Sequence, residues 1–173
     1  VIIDIDEHSL GKFGQFPWNR KVFAKILDQL NIHNPKAIGF DIFFTEKDKQ
    51  SPEAIIKSYG LIPSDVADIQ NLKSPDDIFS EKLKDSKSII AVLGSNVPSH
   101  SNYNRKAKAR FLSKGGDPKN FTYSYPHSIG SLEKLEKNVK GLGSISFLDQ
   151  LDGIIRSLPL IVQFDKKIYP TMG

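Results

Sequence analysis

The chain of 173 residues is long enough for one domain with a sizeable core, and no change in composition divides it in two. Its hydrophobic fraction of 39% and charged fraction of 25% are typical of a folded globular domain and exclude wholesale disorder. The sequence contains no cysteine, which excludes thiol nucleophiles, Cys-ligated zinc and iron–sulfur sites.

The first predicted element is a short strand at residues 1–6. Apolar residues and acids alternate there, so that Asp4 and Asp6 share one face of the strand. The following stretch, residues 7–19, contains two glycines and a proline and is predicted to be a loop. Its only tryptophan, Trp18, is interpreted as a core residue, because a large ring beside a proline buries area efficiently.

A helix and a second strand follow this loop. Asn19 is a suitable N-cap, and the apolar residues after it recur at helical spacing until Pro35. Residues 37–44 are apolar or glycine except for Asp41, which predicts a central strand buried on both faces. A right-handed crossover would place this strand parallel to the first one. The acids of both strands would then meet at their carboxyl ends, where open α/β sheets bind ligands.

The second half of the chain predicts further helices and strands. Serine caps indicate three short helices between residues 47 and 84, and the apolar run 88–94 predicts another buried strand. The remaining predicted elements are an extended piece at 121–125, a short helix at 131–137, a strand at 144–148 and an antiparallel hairpin of 154–164 with 168–171. The fold class is therefore α/β, a single domain with a mixed sheet that has a parallel centre, helices on both faces and an antiparallel C-terminal hairpin.

Residues 99–119 form a basic loop that accounts for the whole net charge of +4, since this segment contains six basic residues and one acidic residue. A nucleic-acid-binding face would combine such charge with several stacking aromatics, and here only Tyr103 and Phe111 could stack. We therefore expect a solvated loop and no nucleic-acid partner. Contact with anionic lipid headgroups is an open alternative.

Several motifs keep a common order and rough spacing across nearly the whole chain. They are Val-Ile-Ile-Asp-Ile-Asp-Glu at residues 1–7, Phe16-Pro17-Trp18 with Arg20, Gly39-Phe40-Asp41-Ile42-Phe43-Phe44 with Glu46, and Asp152-Gly153-Ile154-Ile155-Arg156 with Leu158-Pro159-Leu160. Together they resemble the CHASE type-two sensor domain, an extracellular sensory family attached to cyclases and histidine kinases. Two departures are a predicted insertion at residues 49–72 and the presence of Gln150 and Ser157 where Asp and Arg are expected.

The resemblance implies a periplasmic or extracellular input domain of a bacterial membrane receptor. We expect one transmembrane helix before this chain and three after it, then a cytoplasmic histidine kinase or nucleotide cyclase. The domain itself would be non-catalytic and without a cofactor, would act in a homodimer, and would respond to a small-molecule or protein signal. The resemblance does not identify that signal.

The candidate site residues are Asp4, Asp6, Trp18, Arg20, Asp41, Glu46, Asp152 and Arg156. Grouped carboxylates repel one another, and two arginines could neutralise them as bidentate partners. We favour structural ion pairs, in which Arg20 folds back to an acid of the first strand. A ligand site, or a site for Mg²⁺ or Ca²⁺, is an open alternative.

Two other function classes are considered. Asp4-Ile5-Asp6 after an apolar strand is similar to the nucleophile motif of Mg-dependent haloacid dehalogenase-like phosphohydrolases. His8 stands where those enzymes need Thr or Val, and Asp76-Asp77 lies at a predicted helix start rather than behind a strand. A ligand-free structural or partner-binding module is the other class, and the sequence does not separate it from a sensor.

Overall fold

The computed structural model describes residues 1–62, 67–98, 103–112, 114–146 and 157–172, which contain both helices and strands. The α-helices are α1 (Glu7–Phe13), α2 (Arg20–Ile32), α3 (Pro52–Tyr59), α4 (Ala67–Gln70), α5 (Pro75–Lys84) and α6 (Glu133–Asn138). The strands are β1 (Ile38–Phe40), β2 (Ser88–Ser95), β3 (Tyr123–Tyr125), β4 (His127–Ile129), β5 (Gly141–Ser144), β6 (Ile161–Phe164) and β7 (Lys167–Pro170). A 3₁₀ turn, Pro118–Phe121, precedes β3.

Strand β2 is the centre of the first sheet. β1 pairs with it in parallel, with Phe40 opposite Ile90, and β5 pairs with it in parallel, with Leu142 opposite Ile90. Because both strands use the same residues of β2, they lie on opposite edges of that strand. β4 is antiparallel to the last three residues of β2. The predicted mixed sheet with a parallel centre is confirmed.

The C-terminal strands form a second sheet in the order β3, β6, β7. β6 and β7 make the predicted antiparallel hairpin, and Asp165 and Lys166 turn between them with φ values of 47° and 62°. The second sheet joins the first through a parallel bridge between Thr171 and Ser144. The Met172 amide also donates to the Ser144 carbonyl at 2.8 Å. The predicted α/β class, with its antiparallel C-terminal hairpin, is confirmed.

A cluster of aromatic rings forms the centre of the core. Its four buried rings belong to Phe23 of α2, Phe40 of β1, Phe79 of α5, and Phe44, which lies after β1. Neighbouring ring centroids are 5.1 to 6.5 Å apart. A fully buried side chain of this size contributes about 2 to 3 kcal/mol through the hydrophobic effect. Trp18 packs on Phe23 at 6.2 Å and is 5% exposed, which confirms its predicted role as a core residue.

The prediction of a first strand at residues 1–6 is wrong. Residues 1–6 are not a strand, and no backbone hydrogen bond joins residues 1–5 to β1 or to any other described part of the chain. The predicted loop after it contains α1. Asp6 is the N-cap of this helix, since its carboxylate accepts from the Ser9 amide at 2.9 Å. Asp6 itself is extended, with φ −96° and ψ 177°, so the cap is compatible with an extended chain before it. What the predicted strand lacks is a neighbouring strand that pairs with it.

The central predicted strand is shorter and less buried than expected. β1 ends at Phe40, its Gly39 is exposed, and Asp41 directly after it is exposed as well. A strand buried on both faces is therefore a wrong prediction for this run. In the described sheets β1 pairs only with β2, so it is an edge strand.

Other local predictions are confirmed with small shifts in position. Asn19 caps α2, Ser51 caps α3 and Ser74 caps α5, each through a side-chain oxygen that accepts a backbone N–H. The strand predicted at 144–148 instead comprises Gly141–Ser144. The β-carbon of any other residue at 143 would lie 3.2 Å from Met172 Cβ, so a substitution there would require Met172 to shift by a few tenths of an ångström. That residues 49–72 are an insertion stays a prediction.

Candidate functional site

A cavity of about 1030 Å³ lies beyond the carboxyl ends of β1 and β2. Open α/β sheets place their ligands at this position, because the loops that leave neighbouring strands diverge there. The lining residues are Thr45, Glu46, Ser95, Val97, Pro98, Tyr103, Asn104, Arg105 and residues 129–133. The cavity is therefore built by four separate segments of the chain.

One hydroxyl group and one backbone hydrogen bond join two of the cavity walls. Ser131 Oγ accepts from the Phe44 amide at 3.1 Å, and the Phe44 carbonyl accepts from the Leu132 amide at 2.9 Å. These two bonds place the segment after β1 against the turn that enters α6. The carboxylates of Glu46 and Glu133 lie on the two joined segments and are exposed. Glu133 has a partner in Lys137 at 2.6 Å on the same helix.

A buried ion pair lies behind the inner wall. Arg105 Nε donates to Glu136 Oε1 at 2.8 Å, and the two side chains are 4% and 1% exposed. Arg105 Nη1 also donates to the Ser128 carbonyl at 2.9 Å. The backbone at Gly130 lies directly on this pair: a β-carbon there would be 2.4 Å from Glu136 Oε1 and 2.5 Å from Arg105 Nε. Glycine at this position is what lets the wall close over the pair.

Burial and charge set the electrostatics of this wall. Burial raises the pKa of Glu136, and the Arg105 guanidinium opposes that shift. Burial also raises the pKa of Tyr103, with smaller contributions in the same direction from Glu136 and Glu133. Burial raises the pKa of Tyr169 to about 12. Arg105 is the only cation among the described lining residues, and because it neutralises Glu136 it is not a free anion-binding group.

Residues 103–108, which we call the strap, connect the cavity to the C-terminal sheet. The Arg105 carbonyl accepts from Lys167 Nζ at 2.7 Å and from the Tyr169 hydroxyl at 3.3 Å, and both donors belong to β7. Lys167 Nζ also donates to Asn104 Oδ1. A smaller cavity of about 660 Å³ lies beside Asn104 and the hairpin turn. The strap is thus a wall shared by both cavities.

The strap also corrects the expectation of a wholly solvated basic loop. Arg105 is buried, and Lys108 is partly buried with its ammonium group donating to the carbonyls of Lys137 and Val139 at the end of α6. Burial accordingly lowers the pKa of Lys108. Two of the basic residues are therefore structural, whereas Lys106 and Arg110 are exposed.

Arg20 forms a second buried cluster, with partners other than those predicted. Its Nε lies 3.5 Å from Asp76 Oδ1 at the start of α5, and its guanidinium carbon lies 4.5 Å from the centre of the Phe44 ring. Asp48 accepts from the Arg20 amide at 2.6 Å, and its own amide donates to Asp76 Oδ2 at 2.9 Å. Burial lowers the pKa of Arg20 and raises that of Asp76. The predicted pairing of Arg20 with an acid of residues 1–6 is wrong.

The predicted acidic cluster does not form as a unit. Asp4 and Asp41 are exposed and line an apolar groove of about 760 Å³ between the first residues, α2 and β1. Asp6 caps α1, and its hydrogen bonds from Ser9 lower its pKa. Glu46 lines the main cavity, and its carbonyl accepts from Arg20 Nη2 at 3.3 Å. Asp152 and Arg156 lie outside the described residues.

A sequence profile of the CHASE2 domain matches residues 1–173, the whole chain. The chain belongs to the CHASE2 family. CHASE2 domains are extracellular, sensory and non-catalytic modules of signalling receptors. No curated protein and no solved structure matches the chain. The resemblance inferred from the dispersed motifs is confirmed.

The structure of this CHASE2 domain bears on the metal-site and phosphohydrolase alternatives. Within the described part of the chain, no three side chains of His, Asp or Glu are grouped so that they could hold a metal ion. Nor does any helix there combine the length and apolar character needed to cross a bilayer. The phosphohydrolase hypothesis required Asp4 and Asp6 at the end of a strand, and that strand is absent.

Sequence reasoning missed the residues that organise the CHASE2 cavity. Arg105 was counted as part of a solvated loop, and Glu136 was one acid on a short polar helix. Their pairing spans 31 positions. The only local signal was the glycine at 130 before a helix, which can mark a close backbone approach but does not identify what approaches.

Proposed function

We propose that this chain is the extracytoplasmic input domain of a bacterial transmembrane receptor, with a histidine kinase or nucleotide cyclase as output. The family assignment supports the sensory role. The proposal that the domain binds a ligand is supported by the cavity beyond β1 and β2, whose walls come from four separate segments. In this proposal the cavity binds the signal.

A small molecule is the signal that this cavity suits. Ligand pockets of proteins are commonly about 300 to 1,000 Å³, and the volume of this cavity lies just above that range. Its lining combines apolar side chains such as Val97, Ile129 and Leu132 with hydroxyl, amide and carboxylate groups. Such a surface can bury an apolar ligand body and orient it with a few polar contacts.

Signal transmission would use a shift between two arrangements of the domain. A ligand that binds one arrangement more tightly increases the population of that arrangement. We propose that the receptor is a homodimer and that helices adjoining this domain carry the change across the membrane. The strap gives the cavity a direct connection to β7, since Asn104 and Arg105 both bond to Lys167.

The location is tested by fusing alkaline phosphatase after Gly173 in the natural gene product, because this enzyme becomes active only outside the cytoplasm. We expect phosphatase activity in intact cells and no activity from the matched fusion to a reporter that works only in the cytoplasm. The reverse pattern would contradict the proposed location.

The binding site is tested by thermal-shift screening of small molecules against the purified 173-residue chain. A ligand at a hundred times its Kd stabilises the folded state by about 2.7 kcal/mol, which is several degrees for a domain of this size. We expect Glu46→Gln and Val97→Asp to reduce the shift. The matched controls Glu53→Gln and Leu72→Asp change exposed residues away from the cavity and should leave the shift unchanged. Equal loss in both sets would contradict this site.

A further inference from the structure

Residues 109–112 and 114–121, which we call the basic-apolar loop, expose both cations and large apolar side chains. Leu112 is fully exposed, Phe121 is 86% exposed and Phe111 is 41% exposed. The exposed cations of the loop are Arg110, Lys114 and Lys119. An exposed leucine or phenylalanine is ordinary when isolated, but three of them interspersed along the sequence with three exposed cations indicate an interaction surface.

The segments on both sides of the loop are held in place by the fold. On one side the strap is fixed by the buried Arg105 and by the bonds of Lys108 to the end of α6. On the other side β3 pairs in parallel with β6. The acid of the loop, Asp117, accepts from the Lys119 amide at 3.0 Å and caps the 3₁₀ turn before β3.

The composition of the surface favours a bilayer over a nucleic acid. Both anionic lipids and nucleic acids attract Arg110, Lys114 and Lys119. Only a bilayer also removes an aliphatic side chain such as Leu112 from water, because a nucleic acid offers flat bases that stack on aromatic rings. Phe121 is likewise suited to the boundary between headgroups and acyl chains.

We propose that the basic-apolar loop binds the surface of an anionic bilayer, with Leu112 and Phe121 at the acyl boundary and the three cations at the headgroups. This inference rests on the proposed function, since a receptor input domain stands beside the membrane. It assigns a separate role to this surface: the cavity beyond β1 and β2 binds the signal, and the loop sets the orientation of the domain on the membrane.

The test is cosedimentation of the purified 173-residue chain with sucrose-loaded vesicles of phosphatidylcholine, with or without phosphatidylglycerol. We expect binding to the anionic vesicles only, weakened by added salt because exposed charges are screened. Arg110→Gln combined with Lys114→Gln should lower the partition coefficient about 25-fold, since each cation near the surface contributes about fivefold. Leu112→Ser combined with Phe121→Ser should lower it about tenfold or more.

The matched control is Lys25→Gln combined with Lys57→Gln, which removes the same charge from exposed positions on α2 and α3. This control should bind like the unmodified chain. Absence of binding to anionic vesicles, an equal loss in the control, or no loss in the apolar double variant would each overturn the proposal. Retention of a single-stranded oligonucleotide without vesicle binding would replace the bilayer with a nucleic acid. The phosphatase fusion is independent of all these results, so the proposed location and the loop can fail separately.

Discussion

Arg20 and Arg105 each enter the interior with a carboxylate from another element. A buried ion pair gains little net stability over apolar side chains of the same shape, but removing one partner leaves an uncompensated charge and is costly. Both guanidinium groups also approach aromatic rings, Arg20 at Phe44 and Arg105 at Tyr103. At the residue scale the domain therefore depends on pairs of charged residues that come from distant parts of the chain.

Arg20 and Asp41 were both candidate site residues, and alanine substitution should show that only Arg20 contributes strongly to stability. Arg20→Ala should lower the free energy of unfolding by about 2 to 4 kcal/mol, because it leaves the Asp76 carboxylate buried without its ion-pair partner. Asp41→Ala should change it by no more than about 0.5 kcal/mol, because Asp41 is exposed. Urea unfolding of the two variants measures both values. A large effect at Asp41 would show that its carboxylate has a structural role.

The raised pKa of Glu136 predicts how stability depends on pH. Because the folded chain favours the protonated carboxyl, the folded state binds more protons than the unfolded state between the unfolded and folded pKa values. The stability contributed by this group is present below the ordinary glutamate pKa and is lost as pH rises through the higher folded value.

The measurement compares the original chain with Glu136→Gln by urea unfolding at a series of pH values. The stability of the original chain relative to the variant should fall as pH increases above the ordinary glutamate pKa. Background titration of other acids cancels in this difference. A difference that rises with pH would mean that Arg105 outweighs the burial of Glu136.

Helix α6 is stabilised by its neighbours more than by its own sequence. It has six residues, which is too short to be stable alone, and no side chain caps its first turn. Lys108 donates to its last carbonyls from the strap, and Ser80 of α5 donates to the Lys134 carbonyl at 3.0 Å. At the element scale, the helix next to the cavity is therefore coupled to the strap.

Lys108→Met should destabilise the domain by about 0.5 to 1.5 kcal/mol, because it removes hydrogen bonds to otherwise unpaired helix carbonyls while keeping the apolar stem. Lys106→Met is the matched control, since Lys106 is exposed two positions earlier. Hydrogen exchange of α6 amides should accelerate in the first variant alone. Equal exchange in both variants would show that the cap does not stabilise the helix.

The two sheets share one core at the scale of the whole molecule. Val162, Phe164 and Tyr169 of the C-terminal sheet are buried in the same cluster as Trp18 and the phenylalanines of α2 and α5. The bridge between Thr171 and Ser144 adds a backbone link. The C-terminal hairpin should therefore not unfold before the rest of the domain.

Trp18 fluorescence and far-ultraviolet circular dichroism should accordingly give coincident urea transitions. The tryptophan reports on the aromatic cluster near α2, whereas dichroism reports on all helices and strands, and a single cooperative core makes the two agree. Leu72→Asp, on the exposed surface, should leave the coincidence intact. An earlier dichroism transition would indicate that the C-terminal sheet unfolds separately.

Local signals in the sequence determined the helices capped by Asn19, Ser51 and Ser74, the strand β2 and the C-terminal hairpin. Each of these depends on periodicity, a cap or a turn within a few residues, and dispersed motifs then determined the family. Only the tertiary structure decided that Arg20 pairs with Asp76, that Arg105 pairs with Glu136, and that residues 1–6 are not a strand. Those outcomes depend on which distant groups meet in a water-excluded space, because a buried charge takes the partner that the fold brings near and a strand needs an edge to pair with. The cavity follows from the same cause, since its walls are assembled from segments that only folding brings together.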